Sequence, residues 1–210
     1  MMSLVLCASA TADEESTVKT RALHIRAAIG LLAGLMVLAG CSTASKASAT
    51  DPIPVYAAPS PTIPSWFDVQ MTDVNTGKPF KVSDFAGKVV LVETMATWCP
   101  TCQGEMSQVQ QLHVDYGLGV DLVTISLDVD PNEDATILKK YTAQNGFNWL
   151  IAVAPESVGQ FLAKNYDVDY LNPPLQPMLI IDRKGGVWGL PFGIKSELSL
   201  KKTLDTYLVP

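Results

Sequence analysis

The stretch GKVVLVETMATWCPTCQGEM, from Gly87 to Met106, decides the fold. Its first part, Val89 to Met95, is a nearly continuous run of apolar and β-branched residues, which is typical of a strand buried on both faces. From Thr101 to Tyr116 the apolar residues recur at three- and four-residue spacing, which predicts an amphipathic helix. Two cysteines, Cys99 and Cys102, therefore stand where a buried strand passes into a helix.

Strands and helices alternate outward from this junction. The predicted strands are Trp66–Val69, Pro79–Val82, Val89–Met95, Val120–Leu127, Trp149–Val153, Met178–Ile181 and Val187–Leu190. The predicted helical segments are a turn at Ser83–Phe85, the helix Thr101–Tyr116, a helix opened by Asp130–Asn132 and stopped at Gly146, Ser157–Asn165, and a last helix that Ser196 caps and that ends at Leu208. This order predicts a three-layer α/β sandwich with a mixed sheet.

The N-terminal region has the pattern of an export signal. Residues 27–40 form an uncharged apolar run, which is too short to cross a bilayer comfortably but suits a signal-peptide core. Arg21 and Arg26 precede the run, and Leu38–Cys41 at its end resembles the lipobox of bacterial lipoproteins. We predict a lipoprotein signal peptide over residues 1–40 and a lipid on Cys41. The alternative is an ordinary signal peptide or short anchor, in which Cys41 has no role.

The remaining chain divides into a tether and one domain. Residues 41–64 are rich in Ser, Thr, Ala and Pro and are predicted to be a tether, because such a composition buries too little apolar surface to fold alone. Residues 65–210 are predicted to be the folded domain, since 48% of the chain is hydrophobic and 17% is charged. The formal net charge is −6 and no basic cluster is present, which argues against nucleic acid as a partner.

The position of the cysteine pair predicts its chemistry. Two cysteines three positions apart close a loop too small to stabilise a fold, so a redox role is favoured. Unpaired N–H groups at a helix N-terminus favour negative charge and lower the pKa of a thiol. Cys99 is therefore the candidate attacking thiolate. Cys102, one turn further into the helix, is the candidate resolving thiol and is expected to be the more shielded of the two.

Three other roles are conceivable for these sulfurs. A zinc site needs two further ligands, and beyond the leader the chain offers His113 as its one histidine. A copper(I) site remains open, because two thiolates can bind that ion without further ligands. A peroxidase is disfavoured, because Val92 and Ala96 stand where the surroundings of a peroxidatic cysteine call for proline and threonine.

The segment around the cysteine pair resembles that of a known family. Trp98–Cys102 followed by Glu105 and Met106 looks like the active-site segment of thioredoxin-like proteins, and is most similar to exported, membrane-tethered disulfide reductases of the TlpA/ResA kind. The resemblance extends over roughly residues 66–208. It implies a thioredoxin-like three-layer α/β/α sandwich, a redox-active disulfide between Cys99 and Cys102, and substrate contacts at Trp98, Pro100 and Thr101. It also implies that Trp98 packs beside the pair and limits access to it.

The resemblance assigns roles to three further residues. Pro177, just before an apolar strand, matches the cis-proline that faces the cysteine pair, with a trans loop proline as the alternative. Gln176 would then present its backbone to substrate. Glu93, six residues before Cys99, matches a buried carboxylate that exchanges a proton with the resolving thiol. Its alternative is a strand-end glutamate that reaches water or a lysine.

Two departures qualify the resemblance. Proline follows the first cysteine here, whereas reductases of this group often carry it before the second, so the direction of electron transfer stays open. Residues 126–131 also resemble Sco-type copper proteins, but those use a CxxxC spacing and a later histidine.

The function we expect is therefore an extracytoplasmic, lipid-anchored thiol–disulfide oxidoreductase, and more specifically a protein disulfide reductase. Its expected partners are protein disulfides, such as apocytochrome c cysteines or copper-site thiols, and a membrane electron donor. No organic cofactor is implied. A copper(I)-binding, Sco-like metallochaperone is the alternative.

Overall fold

The computed structural model describes residues 51–57, 63–117 and 121–208. The strands are β1 Tyr56–Ala57, β2 Met71–Thr72, β3 Pro79–Phe80, β4 Val89–Met95, β5 Leu122–Asp128, β6 Leu150–Val153, β7 Met178–Ile181 and β8 Val187–Gly189. The α-helices are α1 Pro100–Tyr116, α2 Ala135–Asn145, α3 Glu156–Asn165 and α4 Glu197–Leu208. Short 3₁₀ helices lie at Ser65–Asp68, Val82–Phe85, Val168–Leu171 and Pro173–Leu175.

Six of these strands form one mixed sheet, in the order β1-β8-β7-β4-β5-β6. Strand β4 lies inside it, parallel to β5 and antiparallel to β7. All seven residues of β4 are buried, as its unbroken apolar run predicts. Because α1 follows β4 directly, the cysteine pair lies at the carboxyl end of an interior strand.

The core lies on both faces of the sheet. Leu91 and Met95 of β4 belong to the cluster that contains both cysteines together with residues of α1, α2 and α4. Val90 and Val92 belong to the opposite cluster, which includes residues of α3 and the first 3₁₀ helix. Because successive side chains of β4 point to opposite faces of the sheet, this strand packs against a helical layer on each side. The predicted three-layer α/β/α architecture is confirmed.

Two predicted elements differ from the structure. The segment beginning at Trp66 is a 3₁₀ helix, Ser65–Asp68, and not a strand; Trp66 and Phe67 are both buried there and pack edge to face at 4.9 Å. Helix α2 begins at Ala135 and not near Asp130, because the Asp134 side chain accepts the N–H groups of Thr136 and Ile137 and so caps the helix.

The folded domain also begins earlier than the predicted boundary at residue 65. Tyr56 and Ala57, which we placed in the tether, pair antiparallel with β8 as an edge strand of the main sheet. The backbone N–H of Ile53 donates to Thr203 Oγ1 at 2.6 Å, which ties this segment to α4. A few apolar residues among the prolines are enough to add one strand to an existing sheet.

The predicted signal peptide over residues 1–40, the lipidation site Cys41 and most of the predicted tether lie outside the described residues. Within the described ranges, no helix combines the length and the apolar character needed to cross a membrane.

Candidate active site

The junction between β4 and α1 places Cys99 as the N-cap residue of the helix. Its sulfur accepts the backbone N–H of Cys102 at 3.1 Å, and the hydroxyl of Thr101 lies 3.2 Å away. Pro100 occupies the first helical position, where its missing N–H costs nothing. Two donors thus converge on the Cys99 sulfur, an arrangement that stabilises a thiolate.

Cys99 and Cys102 are joined in a disulfide, with their Cα atoms 5.3 Å apart. We expected Cys102 to be the more shielded residue, but both are buried, with exposed fractions of 1% and 2%. The sulfur of Cys102 lies 3.2 Å from the carbonyl oxygen of Pro173, in the loop that precedes β7. That loop and α1 together enclose the pair.

Trp98 does not act as the cover that we predicted. Its side chain is 56% exposed, and its indole N–H donates to Asp130 Oδ2 at 2.5 Å. The preceding Thr97 donates both its N–H and its hydroxyl to the carboxylate of Glu133. The loop between β5 and α2 therefore holds the residues just before Cys99 and leaves the indole facing solvent.

The structure corrects the prediction at Pro177. The Gln176–Pro177 bond is trans, as are all peptide bonds in the described ranges. Gln176 instead ends the 3₁₀ turn Pro173–Leu175 in a left-handed conformation, with φ 48° and ψ 61°. The carbonyl oxygen of Pro177 accepts the N–H of Thr94 at 3.2 Å, which joins this proline to β4.

Gln176 does not present its backbone for substrate in this structure. It is buried; its N–H donates to the Pro173 carbonyl at 2.8 Å, and its own carbonyl accepts a hydrogen bond from Lys195 Nζ at 2.5 Å. The predicted contact therefore requires a different arrangement of this loop.

Glu93 is buried, as the resemblance implied. Register pairs it with Ser126 of β5, and the Ser126 hydroxyl donates to Glu93 Oε1 at 2.5 Å while accepting the indole N–H of Trp149 at 2.7 Å. Burial raises the pKa of Glu93 to about 8, although the hydrogen bond from Ser126 opposes this shift. The alternative of a glutamate that reaches water is therefore wrong. Since side chains alternate along a strand, Glu93 shares the sheet face of Leu91 and Met95, which pack with the cysteines.

A buried ion pair beside this site was not predicted from the sequence. Glu105, one helical turn after Cys102, lies 3.7 Å from the ammonium group of Lys195 and accepts the Lys195 backbone N–H at 2.9 Å. Burial raises the pKa of Glu105 to about 7, against the opposing effect of Lys195. The three-residue spacing of Glu105 from Cys102 places it on the buried face of α1, a signal that was available. Lys195 stands in a loop with no periodicity, and no sequence signal indicated it.

Within the described ranges, no group of three or more His, Cys, Asp or Glu side chains has the arrangement of a metal site. His113 donates to or accepts from Thr124 through Nε2 at 2.8 Å and packs edge to face on Trp149 at 4.8 Å. Burial lowers the pKa of His113 to about 4, so the imidazole is neutral at physiological pH.

Comparisons with known proteins agree with this geometry. Residues 56–193 match the Redoxin family model. The thiol–disulfide oxidoreductase ResA of Bacillus thuringiensis is 31% identical over 139 residues, which is 66% of this chain and 71% of that protein.

Two solved structures share the fold. A thiol:disulfide interchange protein of the thioredoxin family from Chlorobium tepidum aligns with a TM-score of 0.54 at 22% identity, over 78% of this chain and 100% of that one. A Sco-family protein described as carrying a disulfide switch aligns with a TM-score of 0.54 at 16% identity, over 73% and 99% of the two chains. At these identities the likeness shows the fold alone. The family match, the ResA relative and the cysteine pair together place this chain in the Redoxin family, among the thiol–disulfide oxidoreductases of the TlpA/ResA type.

Proposed function

We propose that this oxidoreductase is a protein disulfide reductase that works outside the cytoplasm, with Cys99 as its nucleophile. The observation that carries the assignment of Cys99 is the hydrogen bond from the Cys102 N–H to the Cys99 sulfur at the start of α1. A donor aimed at one sulfur stabilises the thiolate on that residue and not on the other.

The proposed exchange runs in two balanced steps. In the reduced protein, the Cys99 thiolate attacks a substrate disulfide, forms a mixed disulfide and releases one substrate thiolate. Cys102 then loses its proton and attacks the Cys99 sulfur, which releases the second substrate thiolate and closes the Cys99–Cys102 disulfide. Two electrons pass from the protein to the substrate, and a membrane electron donor would restore the dithiol.

The neighbouring residues have supporting roles in this proposal. The Thr101 hydroxyl and the Pro100 ring shape the surroundings of the Cys99 sulfur. The exposed Trp98 indole offers an apolar contact for a substrate polypeptide. Glu93, buried on the sheet face that packs against the pair, holds a proton near pH 7; it would give this proton to the Cys102 sulfur as the disulfide is reduced and take it back when Cys102 attacks the mixed disulfide. Pro177, whose preceding peptide bond is trans, would contribute to the surface on which the substrate polypeptide binds.

The proposed direction of electron transfer and the proposed location of the protein rest on different observations. The resemblance to exported disulfide reductases of the TlpA/ResA kind favours reduction of protein disulfides, such as those of apocytochrome c or of copper-site proteins, and the ResA relative is named a thiol–disulfide oxidoreductase. The lipobox-like Leu38–Cys41 and the apolar run before it favour export and a lipid anchor.

The first prediction concerns the nucleophile. A Cys102→Ser variant should accumulate a mixed disulfide between Cys99 and an oxidised protein such as insulin, because no resolving thiol remains. Non-reducing electrophoresis and mass spectrometry of the adduct measure this outcome. The matched control, Cys99→Ser, should form little adduct. Equal adduct through Cys102 in that control would reverse the two assignments.

The second prediction concerns the direction of transfer. Equilibration in dithiothreitol or glutathione buffers, followed by thiol trapping, should give a reduction potential below about −200 mV, toward the thioredoxin end of the known range. A value near about −120 mV would identify an oxidant of newly exported chains and would sink the reductase assignment. Stoichiometric retention of copper(I) by the reduced protein without turnover would favour the metallochaperone.

The third prediction concerns Glu93. The folded protein holds a proton on Glu93 up to about pH 8, whereas the unfolded chain releases it above about 4.5. Raising the pH from 5 to 8 therefore favours the unfolded chain, and this contribution to stability is lost by about pH 8 with a slope of at most about 1.4 kcal/mol per pH unit.

Urea unfolding of the oxidised protein at several pH values measures the slope. Glu93→Gln should make it shallower, because the amide cannot titrate, while Glu105 and Asp128, whose pKa values burial also raises, still contribute. Glu156→Gln, which changes an exposed glutamate of α3, is the matched control and should leave the slope unchanged. Equal slopes for wild type and Glu93→Gln would show that Glu93 is ionised in the folded protein.

The fourth prediction concerns the anchor. In a bacterial host, wild-type protein should partition with membranes and carry a diacylglyceryl group on Cys41, whereas Cys41→Ser should lose the lipid. Mass spectrometry of the mature N-terminus measures this directly. Retention of residues 1–40 in wild-type protein, with no lipid on Cys41, would identify an uncleaved apolar anchor instead.

A further inference from the structure

Lys195 is a lysine in a position that rarely holds one. Its side chain is 4% exposed, and burying an ammonium group is costly unless its donors are satisfied. Its ammonium group donates to the carbonyl oxygens of Gln176 and Gly193, at 2.5 and 2.6 Å, and forms an ion pair with the carboxylate of Glu105 at 3.7 Å. One side chain thus joins α1 to two loops.

One of these loops lies directly over the redox pair. The Pro173 carbonyl is 3.2 Å from the Cys102 sulfur, and three residues later the Gln176 carbonyl is held by Lys195. The N–H of Gly193 donates to the Leu175 carbonyl at 2.7 Å. The segment 173–176, which we call the cover loop, is therefore fixed at both ends.

The cover loop is held in a conformation that the backbone does not favour. Gln176 has a positive φ of 48°, which is uncommon for a residue other than glycine and persists only where surrounding contacts impose it. Its N–H bonds within the loop to Pro173, and its carbonyl bonds to Lys195. The hydrogen bond from Lys195 therefore helps to hold the backbone of Gln176 in this unfavourable conformation.

Access to the buried cysteines requires a covering segment to move, and the cover loop is in contact with the Cys102 sulfur. Both sulfur-bearing residues are 1–2% exposed in the oxidised protein, and exchange needs an incoming sulfur to reach one of them along the S–S axis. We propose that Lys195 is a positioning residue for thiol–disulfide exchange: paired with Glu105, it latches the cover loop shut over Cys99 and Cys102, and release of this latch admits the reacting thiol. The proposal rests on the proposed function only in taking this pair as the redox centre.

The latch is sensitive to charge. The ionisable groups that face Lys195 are Glu105 of α1 and, at longer range, Glu93 of β4. Protonation of Glu105 removes the anion of the pair and weakens the contact that holds Lys195 against the Gln176 carbonyl. The cover loop should therefore open more often as the pH falls from 8 to 6, through the range in which Glu105 titrates.

The test is the rate at which dithiothreitol reduces the Cys99–Cys102 disulfide in the full-length oxidised protein, divided by the concentration of dithiothreitol thiolate at each pH. At pH 8, Lys195→Met and Glu105→Gln should each react about tenfold faster than wild type, because each loses hydrogen bonds or attraction involving a charged group. The corrected rate of wild type should rise toward pH 6, and that of both variants should be flat. Lys195→Arg, which keeps the charge, should restore part of the wild-type behaviour.

Two controls separate the latch from other effects. Lys202→Met removes an exposed positive charge from α4 and should react as wild type does. Asp134→Ala lowers stability by removing the cap of α2 and should not accelerate the reaction.

The proposal is overturned if Lys195→Met reacts within twofold of wild type with the same pH profile, or if Asp134→Ala is accelerated as strongly. Should Lys195→Met fail to fold, Glu105→Gln answers the same question with a side chain of the same size. Failure of the reductase assignment would appear in the reduction potential and not in these rates, since dithiothreitol reports access in either direction of transfer.

Discussion

The N–H of Cys102 points at the sulfur of Cys99, and the rest of the site depends on that contact. It exists because a buried parallel strand, β4, ends at the centre of the sheet and α1 begins within five residues. Pro100 gives the first helical residue a suitable φ and no N–H, so the next free donors face the N-cap sulfur. A CxxC pair placed at the middle of a helix would lack these donors, and its two thiols would be nearly equivalent.

Burial of charged groups around the pair follows a consistent pattern. Glu93 is kept neutral near pH 7 by desolvation and is satisfied by Ser126, whose hydroxyl is in turn held by Trp149. Glu105 is balanced by Lys195 instead. An unpaired buried charge would cost several kcal/mol, so each carboxyl group has either a proton or a cation. The disulfide therefore lies among groups whose formal charges sum to about zero.

Much of this was predictable from local sequence, and the exceptions share a physical cause. The run Val89 to Met95 and the helix that follows it were predicted closely, because periodicity and caps are local signals. Trp66 was assigned to a strand because aromatic residues favour strands, but tertiary burial of its ring decides its conformation. Gln176 and Lys195 depend on contacts between loops 19 residues apart in sequence, for which no pattern exists. The residues of the site could thus be predicted from the sequence, whereas the cover loop that lies over them could not.

The burial of the disulfide and the near-zero net charge of its surroundings together constrain how electrons and protons move at this site. Reducing the disulfide introduces a thiolate at Cys99 into a site where water is excluded and the neighbouring carboxyl, Glu93, already resists ionisation. A second negative charge on that face of β4 would be repelled at low dielectric, so the thiolate disfavours loss of the Glu93 proton further. The helix N-terminus stabilises one negative charge, and Lys195, which attracts an ionised Glu93, is already paired with Glu105. Reduction of this pair to a thiolate at Cys99 and a thiol at Cys102 must therefore be accompanied by uptake of one proton at the Cys102 sulfur, and the protonated Glu93 opposite Ser126 is placed to relay it.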